Sequence, residues 1–235
     1  MYVEAQDIVG LVLVYLIIGL SLAASHIARS RGSSLDSRKI VHTGVGLFVL
    51  VWWMFSENWV MLLFFTVPFA LILFVAMFDG NPLSDSELGD ISNRMGHRTG
   101  LFLYVLSINI LVLFFFDGHW LAATIGVVAM TFGDSAGSII GRRFGRHPII
   151  NGKSAEGSLA VFAMTFVASL LIVAFYMFLA SQGLFSGPVY PVVPVSLACL
   201  TAGALAAISE MLCPGQLDNI ANPLLVAFAM ALMGL

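Results

Sequence analysis

The chain is short of charge. Asp, Glu, Lys and Arg make up 10% of its 235 residues, against about 25% in a soluble domain. Ten basic residues against 13 acidic ones leave a formal net charge of −3, which excludes a nucleic-acid binder working through a basic surface. Cysteine is nearly absent. Cys199 and Cys213 would lie about 21 Å apart along a helix, too far to bridge, so a disulfide scaffold is excluded and both are expected to be small buried residues. A basic leader is missing as well: Glu4 and Asp7 precede the first apolar run, where a secretory signal carries positive charge. The short alternating segments of a membrane barrel are also missing.

What fills the chain is hydrocarbon. Hydrophobic residues account for 60% of it, with 22 Gly besides, well above the roughly 45–50% apolar share of a soluble domain. Mean hydropathy is +0.99. A bilayer core needs about 20 apolar residues per helix. Eight stretches qualify: Ile8–Ile27, Ile40–Phe55, Trp59–Phe78, Gly100–Phe116, Trp120–Ile140, Ser158–Ala180, Val195–Leu212 and Ile220–Leu235. The expectation is an all-α integral membrane protein with about eight transmembrane helices, forming one polytopic domain over residues 1–235.

The connections alternate in character. Arg29, Arg31, Arg38 and Lys39 lie between the first and second stretches, Arg94 and Arg98 between the third and fourth, and Arg142, Arg143, Arg146 and Lys153 between the fifth and sixth. These are all the basic residues of the protein, and the opposite connections hold none. The positive-inside rule then places these loops in the cytoplasm and both termini outside. Trp52, Trp53, Trp59 and Trp120 fall near the outer side, as interfacial anchors do.

Polar groups inside hydrocarbon are expensive and usually functional. Here they gather toward the cytoplasmic ends: His42 early in the second stretch, Asp134 two-thirds along the fifth, Glu210 at the end of the seventh, and Asp218 and Asn219 after a Pro214–Gly215 turn. Asn109, mid-way along the fourth, reads as interhelical glue. Gly133, Gly137 and Gly141 recur every four residues and read as a close packing face. The segment Gly152–Lys153–Ser154–Ala155–Glu156–Gly157 combines a cation, a carboxylate and bare backbone, which suits phosphate and Mg²⁺ together. It is not a P-loop, since six residues separate Gly145 from Gly152 and that motif requires four. The residues alone thus point to an anionic, metal-assisted site at the cytoplasmic rim. They leave open a nucleotide enzyme or a phosphate-recognising transporter.

The order of motifs resembles a known family. Gly133–Asp134–Ser135–Ala136, Gly141–Arg142–Arg143–Phe144–Gly145 and Gly152–Lys153–Ser154–Ala155–Glu156–Gly157–Ser158 are similar to the core of the CTP-dependent phytol/polyprenol (dolichol) kinases. Arg38–Lys39–Ile40–Val41–His42 resembles that family's early element, and Glu210 with Asp218–Asn219 and Pro223 its late one; Arg94 matches a further basic position. The likeness covers residues 38–223. It implies a multi-pass membrane kinase that moves the γ-phosphate of CTP, or another nucleoside triphosphate, to the terminal hydroxyl of an isoprenoid alcohol such as phytol, geranylgeraniol or a polyprenol. The short chain, without the extra N-terminal helices of eukaryotic dolichol kinases, suggests a phytol-kinase-like or prokaryotic member in a cell membrane, with a cytoplasmic active site.

On that resemblance Asp134 and Asp218 are expected to hold Mg²⁺ (or Mn²⁺), with Glu156 as a further metal or supporting residue. Lys153, Arg142 and Arg143 would neutralise phosphate oxygens, within a nucleotide-binding set completed by Lys39, Gly133, Ser135, Gly152, Ser154, Gly157 and Asn219. Glu210, or else His42, would accept the alcohol proton. The partners implied are an isoprenoid alcohol from the bilayer, a nucleotide from the cytoplasm and membrane lipids, with no nucleic acid. A cytidylyltransferase making a CDP-activated lipid, and a transporter of a phosphorylated or anionic solute, are the alternatives.

Overall fold

The computed structural model describes residues 2–32, 37–86, 89, 91 and 98–235; Arg94 lies outside the described residues. Among these the protein is all-helical, and the one extended pairing is an isolated bridge between Pro148 and Ser154. Five helices are long and apolar enough to cross a membrane: Ala5–Ser30 (α1), Asn58–Ala76 (α3), Trp120–Phe144 (α5), Ala155–Ser181 (α6) and Val195–Leu212 (α7). Gly100–Phe115 (α4) and Asp218–Leu232 (α8) are apolar but shorter.

The second predicted stretch is not a continuous α-helix. Ser37–Val45 (α2) gives way to 3₁₀ turns over Gly46–Leu50 and Trp52–Met54. Val, Phe and Trp crowd this segment, and such side chains lose rotamer freedom against a preceding helical turn. Trp52 and Trp120 are buried, which corrects their reading as interfacial anchors: Trp52 packs edge-on against Phe48 at 5.0 Å between ring centroids.

The chain packs as two compact units, Met1–Leu113 and Phe114–Leu235. In the first, α1 and α2 run against each other so closely that a side chain at Gly44 would strike Ser21. Asp7, fully buried, anchors the start of α1. Its carboxylate accepts from the Glu4 amide at 2.7 Å and from the amide and hydroxyl of Ser56, each at 2.7 Å. Asn109 links α4 to α3 as expected: the Thr66 hydroxyl donates to its Oδ1 at 2.7 Å, and its Nδ2 donates to the Thr66 carbonyl at 3.2 Å.

In the second unit, α5 and α6 pack through the glycine face read in the sequence. A Cβ at Gly133 would meet Thr165, at Gly137 Val161, and at Gly141 the Ser154 hydroxyl. On the other side of α5, Gly126 lies against the Pro223 carbonyl of α8. Removing the Cβ at each crossing lets backbones approach closely, the usual device where lipid removes the hydrophobic drive between helices. Cys199 and Cys213 are unbridged, the first buried and the second half-buried.

Candidate active site

The site in the second unit grows from three helix ends. Helix α5 contains a π turn over Ala129–Gly133, and Asp134 follows it directly. Such single π turns are inserted residues that recur at functional sites. Asp134 is buried, as are Gly133 and Ser135 beside it.

Helix α5 ends at Phe144, and the connection to α6 folds back on itself. The Ile149 amide donates to the Lys153 carbonyl at 2.9 Å, and the Ala155 amide to the His147 carbonyl at 2.9 Å. Asn151 (φ 56°) and Gly152 (φ 70°) make the reversal; Asn and Gly tolerate this left-handed region best. The Asn151 side chain also donates to the carbonyls of Met211 and Leu212, at 3.1 and 3.0 Å. It thereby satisfies acceptors that the end of α7 leaves open. Ser154 caps α6, its hydroxyl accepting from the Gly157 amide at 3.1 Å.

This loop delivers Lys153 to two buried carboxylates. Its Nζ donates to Glu210 Oε1 at 2.6 Å and to Asp218 Oδ2 at 3.2 Å. The Ser158 hydroxyl donates to Glu210 Oε2 at 3.3 Å, and Asn219 Nδ2 to Asp218 Oδ1 at 3.1 Å. Burial pulls the Lys153 ammonium toward neutrality. The Asp218 charge, the Glu210 hydrogen bond and charge, and the Asp134 charge outweigh it, so its pKa stands above the ordinary lysine value.

The other expected residues divide. Arg142 and Arg143 stand at the exposed end of α5, about 12 Å along the axis from Asp134. Arg142 donates to Ser138 of its own helix, through Nε to the carbonyl at 3.2 Å and through its terminal nitrogen to the hydroxyl at 3.0 Å. The Arg143 guanidinium lies 5.3 Å from the Phe144 ring centroid. Glu156 turns back on the loop, accepting from the Arg146 and His147 amides at 3.1 and 3.3 Å and pairing with His147 Nδ1 at 2.6 Å. Lys39 and His42 belong to α2 in the first unit, where His42 is buried edge-on against Tyr104, with ring centroids 4.1 Å apart.

Among the described residues no three His, Cys, Asp or Glu side chains form a ready metal cage. Mg²⁺ usually takes only one or two carboxylates plus substrate phosphates. The donor set fits that use: Asp134 and Asp218 are both buried carboxylates, and the charges of both act on the Lys153 ammonium.

Four buried groups were not singled out from the sequence. Both ends of the Asn222 amide and the hydroxyls of Thr131, Thr165 and Ser169 lack hydrogen-bond partners among the described residues. Asn222 is one turn inside Asp218 on α8, and Thr131 one turn inside Asp134 on α5. Buried polar groups are nearly always paired, so these four stand out among the described residues. Asn222 before Pro223 in an apolar helix is the one of them visible in the sequence. Beyond Ser169 the buried side of α6 continues as Ile172, Val173, Tyr176 and Leu179.

Fold and site together define a class: an all-helical protein, five of whose described helices are long and apolar enough to cross a membrane, with a half-buried lysine held by two buried carboxylates at the helix ends. The kinship of the chain is narrower. Phytol kinase of Synechocystis sp. is 32% identical over 146 residues, 59% of each chain. A probable chloroplastic phytol kinase of Triticum aestivum is 32% identical over 154 residues, 61% of this chain and 50% of that one. Chloroplastic farnesol kinase of Arabidopsis thaliana is 31% identical over 154 residues, 62% and 49% respectively. These similarities support the phytol/polyprenol kinase family. The chain spans about half to three-fifths of the length of these curated relatives. No protein-family model and no solved structure matches it.

Proposed function

We propose that the protein is a membrane kinase that transfers the γ-phosphate of CTP, or of another nucleoside triphosphate, to the hydroxyl of an isoprenoid alcohol. The observation that carries this reading is Lys153, held between Glu210 and Asp218 with Asp134 acting on it. A loop cation held beside buried carboxylates suits a polyphosphate site, because phosphoryl transfer relies on positioning and charge neutralisation. The names of the similar proteins supply the acceptor class.

In this reading the nucleotide reaches the α5–α6 loop from the cytoplasm, and the chain crosses the membrane about eight times with both termini outside. Lys153 exchanges carboxylate oxygens for phosphate oxygens, while the N-terminal end of α6 favours negative charge. Asp134 and Asp218 would hold Mg²⁺ (or Mn²⁺), which when bound supplies further neutralisation of phosphate charge. The alcohol oxygen forms its new bond to the γ-phosphorus as the bond to the β-bridging oxygen breaks. CDP leaves, and Glu210 takes the hydroxyl proton.

The test is γ-labelled and α-labelled CTP, then ATP, GTP and UTP labelled in the same way, supplied in turn to the purified protein with short and long isoprenoid alcohols. Label from the γ position in the lipid supports the kinase. Label from the α position makes the protein a cytidylyltransferase and overturns it, as does absence of any lipid label. The apolar run of buried residues beyond Ser169 on α6 weighs against a transporter, whose path needs polar groups through the whole depth.

A further inference from the structure

Lys153 is carried by residues 146–156 of the second unit, a short hairpin between α5 and α6. Among the described residues two backbone bonds join its limbs, from the Ile149 amide to Lys153 and from the Ala155 amide to His147, each at 2.9 Å. A lone two-stranded hairpin is marginal in water. Side chains fasten this one at two points. At the tip, Asn151 donates to the Met211 and Leu212 carbonyls of α7. At the mouth, Glu156 reaches back across the opening. Its Oε2 accepts from the Arg146 amide at 3.1 Å and the His147 amide at 3.3 Å, and its Oε1 pairs with His147 Nδ1 at 2.6 Å. Helix α5 has ended at Phe144 and Gly145 is extended, so these two amides lie past the helical ladder. Lys153 sits between the two fastenings, two residues after Asn151 and three before Glu156. Its carbonyl is the acceptor for Ile149, so opening the mouth frees the limb that brings the ammonium to Glu210 and Asp218.

We infer that Glu156 and His147 form a clasp that closes this hairpin and sets Lys153 in place, which makes both of them positioning residues for the nucleotide's phosphates and neither a metal ligand. The inference rests on the kinase reading for what Lys153 meets, and on the loop geometry alone for the clasp. Both Glu156 oxygens are already occupied by loop donors. An amide can do the same work: its oxygen accepts from the two backbone amides, and its NH₂ donates to Nδ1 of a neutral His147. An amide lacks the charge that Mg²⁺ draws from a carboxylate. Glu156→Gln therefore keeps a clasp and removes a metal ligand, whereas Glu156→Ala removes both.

Two measurements on the purified full chain test it. The first is amide hydrogen exchange read by mass spectrometry, which needs no turnover. In Glu156→Ala residues 146–156 are expected to exchange at least tenfold faster, since one hydrogen bond to a charged group is worth about tenfold or more in an equilibrium. Residues 161–181 of α6 keep their wild-type rates, which shows the helix still folded. The second is steady-state kinetics with the nucleotide that the wild type turns over. Glu156→Ala raises its KM by about tenfold or more, changes kcat less, and leaves the Mg²⁺ concentration for half-maximal rate where it was. Glu156→Gln recovers most of that KM. His147→Ala gives a smaller rise, and adding it to Glu156→Ala has no further effect, as two halves of one clasp require. An unchanged KM in Glu156→Ala overturns the positioning role, whatever the loop does. A Glu156→Gln variant as impaired as Glu156→Ala, with its Mg²⁺ requirement raised, overturns it too and makes Glu156 a metal ligand. If the wild type phosphorylates no alcohol, the kinase reading falls, and the exchange rates alone decide for or against the clasp.

Discussion

Lys153 donates to Glu210 at 2.6 Å across 57 positions of sequence, joining the α5–α6 loop to the end of α7. The same ammonium reaches Asp218 at the start of α8. Three separate segments thus depend on one positive charge. Removing it leaves two carboxylates buried beside each other.

Lys153→Met is therefore expected to destabilise the protein by about 3–5 kcal/mol, the range for breaking a buried ion pair from one side. Phosphoryl transfer falls by about 10²–10³, as it does when one preorganised charge is lost. Thermal unfolding in detergent and a γ-label transfer assay read the two effects separately. Unchanged stability together with unchanged transfer removes Lys153 from the site.

Asp134→Asn keeps the volume and the buried position while deleting the charge that acts on Lys153. Membrane insertion and helical content stay as in the wild type, and turnover falls by about 10²–10³. Arg31→Ala, exposed at the end of α1, is the control and is nearly silent in both assays. Near-normal turnover by purified Asp134→Asn would falsify the role given to this carboxylate.

Alkaline titration gives a test in the opposite direction. The native pKa of Lys153 lies above the ordinary value of 10.5, so the folded state holds this proton more tightly than the unfolded chain. Its stabilisation is present in full below pH 10.5 and is lost as pH rises through the higher native value. The thermal midpoint, followed from pH 8 upward, should lose its Lys153-dependent part only above about pH 10. In Lys153→Met that part of the decline is absent.

Asn151 separates backbone conformation from hydrogen bonding. Asn151→Gly keeps the positive φ but loses both bonds to the end of α7, each worth about 0.5–1.5 kcal/mol net. Asn151→Ala loses the bonds and adds the left-handed penalty of about 1–2 kcal/mol. The order of thermal midpoints should be wild type, then Gly, then Ala. Transfer activity follows the same order, because Lys153 is two residues along the loop. Equal midpoints for the two variants would show that the αL conformation carries no strain for alanine here.

The glycine face of α5 sets a packing limit. Gly137→Val drives a branched side chain against Val161 and the Gly157 carbonyl. Overpacking of this kind costs about 1–3 kcal/mol. A destabilised protein with its α5–α6 crosslinking pattern altered is the expected result, and a midpoint equal to the wild type would mean that the helices separate freely.

Much of this was written in the chain itself. The long apolar helices, the Gly133–Gly137–Gly141 face and the Asn109 link follow from composition and spacing, because lipid leaves few other ways to satisfy a backbone. The meeting of Lys153 with Glu210 and Asp218 was legible only through the order of the motifs, since no periodicity relates residues so far apart. Two features stayed hidden for local reasons. Glu156 has the chemistry of a metal ligand, yet the loop reversal puts His147 and two amides within its reach first. The break after Val45 depends on crowded Val, Phe and Trp side chains in a segment whose hydropathy alone reads as one helix.

The π turn before Asp134 has an evolutionary corollary. A residue added to Ala129–Gly133 without a second wide turn to absorb it swings everything downstream by about 100° around the axis. The carboxylate would then leave its buried position while Gly137 and Gly141 lost their neighbour, all without a change to any named side chain. Length in this five-residue stretch is thus under tighter restraint than identity, and indels there should be far rarer in functional descendants than substitutions.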